Sequence, residues 1–271
     1  MNKFVYQIYY DEQTRSKVLP NFIPLDNTKN ERPDWFECWV IKDFLRKNSL
    51  ENDSWYGFLS PRFYEKTGHT SEYVLQVLDA HPGKYNVALF SPHWDQISYY
   101  TNPFEQGEVW HPGLTSLSQS FIDGIGLKIN LSTLITDTKS TVYSNYIIAK
   151  KEFWEEWLQI AEKFFSHVEN NFAFKKKTSY ALIENQVPMK TFIQERLATL
   201  LLAPGTFRVI SPDQSMTAGI FPRLFPPDPN TRRLLQFCDL MKFKYRQKFE
   251  NEYLEMYWKI RREIKYSNLK F

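Results

Sequence analysis

Along the first 210 residues, short apolar runs alternate with segments of helical period. That alternation constrains the fold more than any other feature of the chain. Phe4–Tyr10, Trp55–Ser60, Tyr85–Ser91, Val142–Ala149 and Phe207–Ile210 read as strands. Between them, Trp35, Phe36, Trp39, Val40 and Phe44 fall on one helical face, with Pro33 and Asp34 as start signals. Ser71–Ala80 and a segment from about Met189 to Leu202 also read as helices. The clearest helix is Lys151–His167, where Phe153, Trp157, Ile160 and Phe164 repeat on one stripe and Glu and Lys occupy much of the other face. Strand and helix in turn predict an α/β layered domain with a mainly parallel sheet, flanked by helices. In such sheets ligands sit at the carboxyl ends of the strands.

After Ile210 the pattern changes. Residues 211–230 are Pro-rich and read as a surface connection. A long helix is expected from Thr231 to about Tyr266, giving an α/β domain over 1–210 and an appendage over 211–271. From Thr231 to Phe271 there are eleven Lys and Arg against five Asp and Glu, a local +6 in a chain of net +3. The expectation is a helix that docks through Phe237, Leu240, Phe243, Phe249, Tyr253 and Tyr257 and turns its charge outward. An outward basic face can meet an anionic membrane, or simply be solvated. The balance is too mild for a nucleic-acid-binding protein. Lys175–Lys177 read as a solvated loop.

Cys38 and Cys238 lie in separate helix-like stretches among large apolar residues, which argues against a disulfide framework or a Cys-ligated zinc. The first apolar run meets Asp11 and Glu12 too soon for a signal peptide, and no run of eighteen apolar residues exists. These features lead to an expectation of a cytoplasmic protein. P-loop, GxGxxG, HExxH, GxSxG and CxxC motifs are all missing, as is an Asp-x-Asp pair.

Candidate chemistry gathers at expected strand ends. His93 and Asp95 follow the strand that stops at Pro92. There they suit a divalent cation, Mn²⁺ or Mg²⁺, on a diphosphate. The alternative is a loop in which Asp95 caps the next turn. Arg62 and Lys66 follow the Trp55–Ser60 strand, where an Arg can clamp a phosphate or form a surface ion pair. The stretch from Asn102 to Leu114 reads as an irregular polar-aromatic loop. Its Glu105, Gln106, Glu108 and His111 suit hydrogen bonds to sugar hydroxyls.

The order of these pieces resembles bacterial capsule and exopolysaccharide glycosyltransferases of GT-A-like type. The resemblance rests on Leu25-Asp26-Asn27-Thr28-Lys29-Asn30 followed by Glu37 and Trp39, and on Tyr56-Gly57-Phe58-Leu59-Ser60-Pro61-Arg62-Phe63. It continues with Asn145 in SNYIIAKKEFWEEW and Glu195-Arg196-Leu197. It spans roughly residues 4 to 210, by order and spacing. This chain departs from the pattern in having Ser-Pro where the family has His-Tyr, and one Arg where it has two. The resemblance implies a hexosyltransferase-like enzyme moving a sugar from a nucleotide-sugar donor to a glycan or lipid-linked glycan acceptor, at the inner face of the membrane. Asp26, Asn27, Arg62 and Lys66 would then contact the donor, and Glu105, Glu108 and His111 the acceptor. Asp95 and Glu195 would be the catalytic carboxylates, one of which must take the proton of the acceptor hydroxyl. Asp26 and Asn27 also suit a simple Asx turn, and Glu195 and Arg196 a simple ion pair. The alternative function is a non-catalytic carbohydrate-binding or assembly subunit of the same machinery.

Overall fold

The computed structural model describes residues 1–81, 83–171, 174, 187–215, 224–226 and 228–265. Lys175–Lys177 and much of 211–230 lie outside them. Six strands form one mixed sheet: β1 (Lys3–Tyr9), β2 (Ile23–Asp26), β3 (Trp55–Leu59), β4 (Val87–Leu89), β5 (Ile147–Ala149) and β6 (Val209–Ile210). Their spatial order is β2-β1-β3-β5-β4-β6. β5 is antiparallel to both its neighbours, while the other pairings are parallel. The α/β class and the mainly parallel sheet therefore follow the sequence pattern.

Alternation along each strand divides the core between the two faces of the sheet. Ile8, Tyr56, Phe58, Val87, Leu89, Ile147 and Ala149 point into one cluster. Val5, Trp55, Leu59, Ala88, Phe90, Tyr146 and Ile148 point into the other. The first face is covered by α2 (Phe36–Lys47) and α8 (Lys151–Asn170). The expected stripe of Phe153, Trp157, Ile160 and Phe164 is buried there. Trp154 also lies under the sheet, its indole donating to the Tyr56 carbonyl at 2.9 Å. The second face is covered by α4 (Ser71–Asp79), through Val74 and Leu78.

Strand β2 was not legible in the sequence. Pro24 lies inside it, and a strand tolerates proline only where no ladder hydrogen bond is needed. β2 is an edge strand, so Pro24 costs it nothing. Gly57, by contrast, is central. A Cβ there would lie 2.7 Å from Ile148 Cγ1 across the ladder. Gly57→Ala is expected to overpack the sheet and lower stability by about 1–3 kcal/mol, read as a lower thermal midpoint.

Between β4 and β5 lie three helices, α5 (Trp94–Tyr99), α6 (Pro103–Trp110) and α7 (Leu114–Gly124), and α6 occupies the stretch that reads as an irregular loop in the sequence. Asn102 caps α6, its side chain accepting from the Phe104 and Glu105 amides, with Pro103 at the first helical position. The expected helix from Met189 to Leu202 is two short ones, α9 (Met189–Gln194) and α10 (Leu197–Leu202), separated by Glu195 and Arg196.

The C-terminal segment differs most from expectation. It is not one long helix. α11 (Pro229–Lys248) ends where Phe249 turns left-handed, and α12 (Asn251–Glu263) packs back against it. Its charge is turned outward only in part: Arg233, Lys248, Lys259 and Arg262 are exposed, but three cations turn inward. Lys242 is fully buried and donates to the carbonyls of Ile97 and Tyr100. Arg246 pairs with Asp137 at 2.7 Å, and Arg261 with Glu105 at 2.7 Å. Of the expected docking residues Tyr257 is buried, whereas Phe237, Leu240 and Phe249 are exposed, as are Met256 and Trp258. Burying these cations is tolerable because carbonyls and carboxylates wait for them on the domain. No helix among the described residues is long and apolar enough to cross a membrane. Cys38 and Cys238 are buried free thiols, as expected.

Candidate active site

Strand order locates a crevice. The chain runs from β1 outward to β2, then crosses to β3 on the opposite side of β1. The order therefore reverses between β1 and β3, and an open α/β sheet binds ligands outside the carboxyl ends at such a point. β3 and β4 leave the sheet at the same edge with only β5 between them. Two strand spacings make about 10 Å, so Ser60–Arg62 and Ser91–Asp95 follow strands that end at the same edge of the sheet.

The backbone at this edge is strained. Eight described residues other than glycine have positive φ, and four of them lie here: Phe36, His93, Ser144 and Asn145. Such conformations persist where surrounding structure fixes them, often at functional sites. Here the fixing bonds are visible. Ser91 Oγ donates to the Thr141 carbonyl and accepts from the Tyr143 amide, at 3.0 and 3.2 Å. Lys66 Nζ, on α3 (Phe63–Thr67), donates to Ser144 Oγ at 2.9 Å. Ser60 Oγ shares a 2.7 Å hydrogen bond with the Tyr146 hydroxyl.

Two carboxylates enter from outside the sheet. Glu37 lies in the first turn of α2, directly after strained Phe36. Glu195 lies in the break between α9 and α10. Gln194 ties the two together, its amide donating to the Trp35 carbonyl at 3.1 Å. Arg196 anchors the same break by donating to the carbonyls of Pro103 and Phe192 and to Gln106 Oε1, at 2.8, 2.6 and 2.7 Å. These acceptors are neutral, so Arg196 is not the ion-pair partner of Glu195. The half-buried Glu195 side chain makes no hydrogen bond and no ion pair with described residues. Burial raises its pKa, Lys66 and Arg196 offset part of that, and Glu37 adds to it. Glu37 likewise makes no ion pair among the described residues. The Tyr10 hydroxyl beside it has no hydrogen bond of ordinary length, and burial together with Glu37 pushes that phenol upward.

Further polar atoms without partners lie on the same segments. They are Tyr143 Oη, Asn145 Oδ1, Thr191 Oγ1 and Gln194 Oε1. Buried polar groups are nearly always satisfied, so such a group calls for bound water or a ligand. Together with Glu37, Glu195 and Lys66, they describe a site built to hydrogen-bond something polar.

The other expected site residues are placed less uniformly. Arg62 forms a two-point pair with Glu65, at 3.2 and 2.8 Å, and is half exposed. Asp26 accepts from the Thr28 amide at 2.8 Å, which is the Asx turn. With Asn27 it lines a separate groove of about 390 Å³ beside Trp39, Asp43 and Lys47. Glu105 is taken up by Thr101 and Arg261. Glu108 accepts from the Gly113 and Thr115 amides and closes the turn into α7. His111 stacks on Phe192 at 3.5 Å between ring centres. The stretch expected to be an acceptor-binding loop is thus a capped helix, with its carboxylates used internally.

Asp95 is buried rather than loose in a loop, and its carboxylate accepts from the Leu224 amide at 2.8 Å. Burial and the Lys66 charge lower the His93 pKa to about 4. Among the described residues, no three His, Cys, Asp or Glu side chains gather as metal ligands. A cation here would have His93 and Asp95 at most, with a substrate diphosphate supplying the rest.

Burial also lowers the pKa of His69 to about 4, and that of His111 to about 4 with help from Arg196. Both are neutral in the fold at pH 7, against an ordinary value of 6.5. Their stabilising contribution is present above pH 6.5 and is lost as pH falls through about 4. Each should add a slope of up to about 1.4 kcal/mol per pH unit across that window. His69→Phe keeps the ring between Tyr73 and Phe90. It is expected to flatten the acid side of urea midpoints measured from pH 7 to pH 4.

Comparison with models of known protein families, with curated proteins and with solved structures finds no match to this chain.

Proposed function

We propose that this protein is a glycosyltransferase with a GT-A-like sheet, transferring a hexose from a nucleotide-sugar donor to a hydroxyl of a bacterial surface glycan. The observation that carries the reading is Glu37 and Glu195, two carboxylates without ion-pair partners among the described residues, near Lys66 at the switch point of the sheet. Sugar transfer needs a base for the acceptor hydroxyl and positive charge for the departing diphosphate. Glu195 suits the first role. A carboxylate raised above its ordinary value is a stronger base once ionised. Lys66 suits the second, with Arg62 able to join it by exchanging Glu65 for phosphate.

In a direct displacement, the acceptor oxygen gives its proton to Glu195 and forms the new bond to the anomeric carbon. The bond from that carbon to the nucleoside diphosphate breaks, and its electron pair stays on the phosphate oxygen beside Lys66. Glu37, Tyr10 and Asn145 remain to hold sugar hydroxyls. A nucleotide-sugar donor places this work in the cytoplasm, and a lipid-linked acceptor would bring the enzyme to the inner face of the membrane.

Nucleoside diphosphate release from a panel of nucleotide sugars tests the reading. Wild type is expected to turn over one donor slowly in water and faster with acceptor. Lys66→Ala should weaken nucleoside diphosphate binding at least tenfold, the loss of one charge-assisted contact of about 1.5–3 kcal/mol. A protein that binds glycans but releases no nucleoside diphosphate from any donor would instead be the non-catalytic subunit.

A further inference from the structure

The opposite, amino-terminal edge of β4 and β6 carries a groove that the reaction does not use. It measures about 550 Å³. Lys84 and Tyr85 reach it from the start of β4, Phe207 and Arg208 from the start of β6, Lys139 from the loop before β5, and Phe243 from α11. Gly205 and Arg246 also line a neighbouring groove of about 410 Å³, so the two run together along the hairpin. The second is lined by Asn130, Thr133, Tyr245 and Phe249.

Charge in the larger groove is one-sided. Its lining holds four cations, Lys84, Lys139, Arg208 and Arg246, and one carboxylate, Asp137, a sum of +3. Asp137 is buried and already accepts from Arg246, Ser140 and Lys139. Lys84, Lys139 and Arg208 are exposed and make no ion pair among the described residues. Instead, Lys84 Nζ lies 5.3 Å from the Tyr85 ring and Lys139 Nζ 5.1 Å from the Phe243 ring. Such contacts are weak at an exposed site and yield readily to an anion.

Aromatic faces next to unpaired cations, continuing into a groove lined by an amide and a hydroxyl, match a chain of sugars that carries carboxylates. The C–H faces of the sugars lie on the rings, and their acid groups meet the cations. A nucleic acid would need a continuous basic track. The hairpin interrupts any such track with exposed Glu250, Glu252, Glu255 and Glu263. We propose that this groove binds an acidic oligosaccharide. On the transferase reading, that chain is a stretch of acceptor or product held far from the reacting end.

Calorimetric titration at low salt with tetragalacturonate tests this, against neutral maltotetraose and a single-stranded oligonucleotide. Wild type should bind the acidic sugar at least tenfold more tightly than either. The combined variant Lys84→Ala, Lys139→Ala and Arg208→Ala should lose that binding at least tenfold, with an unchanged melting temperature and unchanged donor turnover. Lys139→Gln alone should show part of the loss. Equal binding by wild type and the triple variant would overturn the proposal. So would tighter binding of the oligonucleotide, or loss of the acidic sugar in Lys66→Ala instead. Because binding is read without turnover, an inactive protein that still binds through these cations would refute the transferase reading and leave the groove standing.

Discussion

Glu195→Gln is expected to lower sugar transfer by about 10²–10⁴-fold, the usual contribution of a general base, and at the same time to raise the melting temperature. The two effects share one cause. The half-buried Glu195 side chain has no hydrogen bond or ion pair among the described residues, and desolvation raises its pKa. A carboxyl group raised in the fold gives its full stability below its unfolded value of 4.5 and loses it as pH rises through the folded value. Above that folded value the ionised group is therefore a net cost to the fold. Glutamine keeps the shape and removes the charge. A gain of about 1 kcal/mol is typical for relieving a site of this kind, or about 2–4 °C in a chain of this size. The pH profile of transfer should carry an acid limb above the ordinary carboxylate range, since the base must be ionised to work. A Glu195→Gln protein that is less stable than wild type would mean the carboxylate has a structural partner, and the base would have to be sought elsewhere.

Lys242→Ala should have the opposite character, a large loss of stability with no direct part in chemistry. Lys242 has no exposed surface, and its ammonium joins α11 to two carbonyls of the α5 segment. Removing it leaves the Ile97 and Tyr100 carbonyls short of a donor, and half-buried Asp239 without its neighbouring cation. Losing one side of a buried charged arrangement costs about 3–5 kcal/mol. Lys242→Met fills the space without leaving a buried ammonium to solvate, so its cost should be smaller. Burial holds Lys242 down to about 8, against 10.5 in an unfolded chain. Its contribution to stability is thus fully present above 10.5 and is lost as pH falls through about 8. Between those values wild-type stability should rise with pH by up to about 1.4 kcal/mol per unit from this group. Urea unfolding at pH 8, 9 and 10 reads that slope, which the methionine variant should lack.

The contrast between these two residues shows how much the sequence makes legible. Periodicity located five of the six strands and the α8 stripe, because a buried face imposes its spacing on the residues. It missed β2, whose exposed edge imposes none. It also read the C-terminal segment as one helix, since no glycine or proline marks the turn at Phe249. The same reading assumed that aromatic residues face in and charges face out. Lys242, Arg246 and Arg261 reverse this because their acceptors, Tyr100, Asp137 and Glu105, lie more than a hundred residues away in the chain. At the site, the sequence pointed to Glu195 and Lys66. It could not show that Asp95, Glu105 and Glu108 are occupied by backbone amides and arginine. Glu37 was visible only as one of the residues carrying the resemblance, with no role assigned, and the strand reversal beside it is a property of topology.

The most direct measurement of the central claim is a crystal structure with a nucleoside diphosphate bound. The diphosphate is expected within hydrogen-bond reach of Lys66, between the carboxyl ends of β1 and β3 and on the same side as Glu37 and Glu195. A diphosphate held instead at the amino-terminal edge by Lys84 and Arg208, or bound nowhere at millimolar concentration, would contradict it.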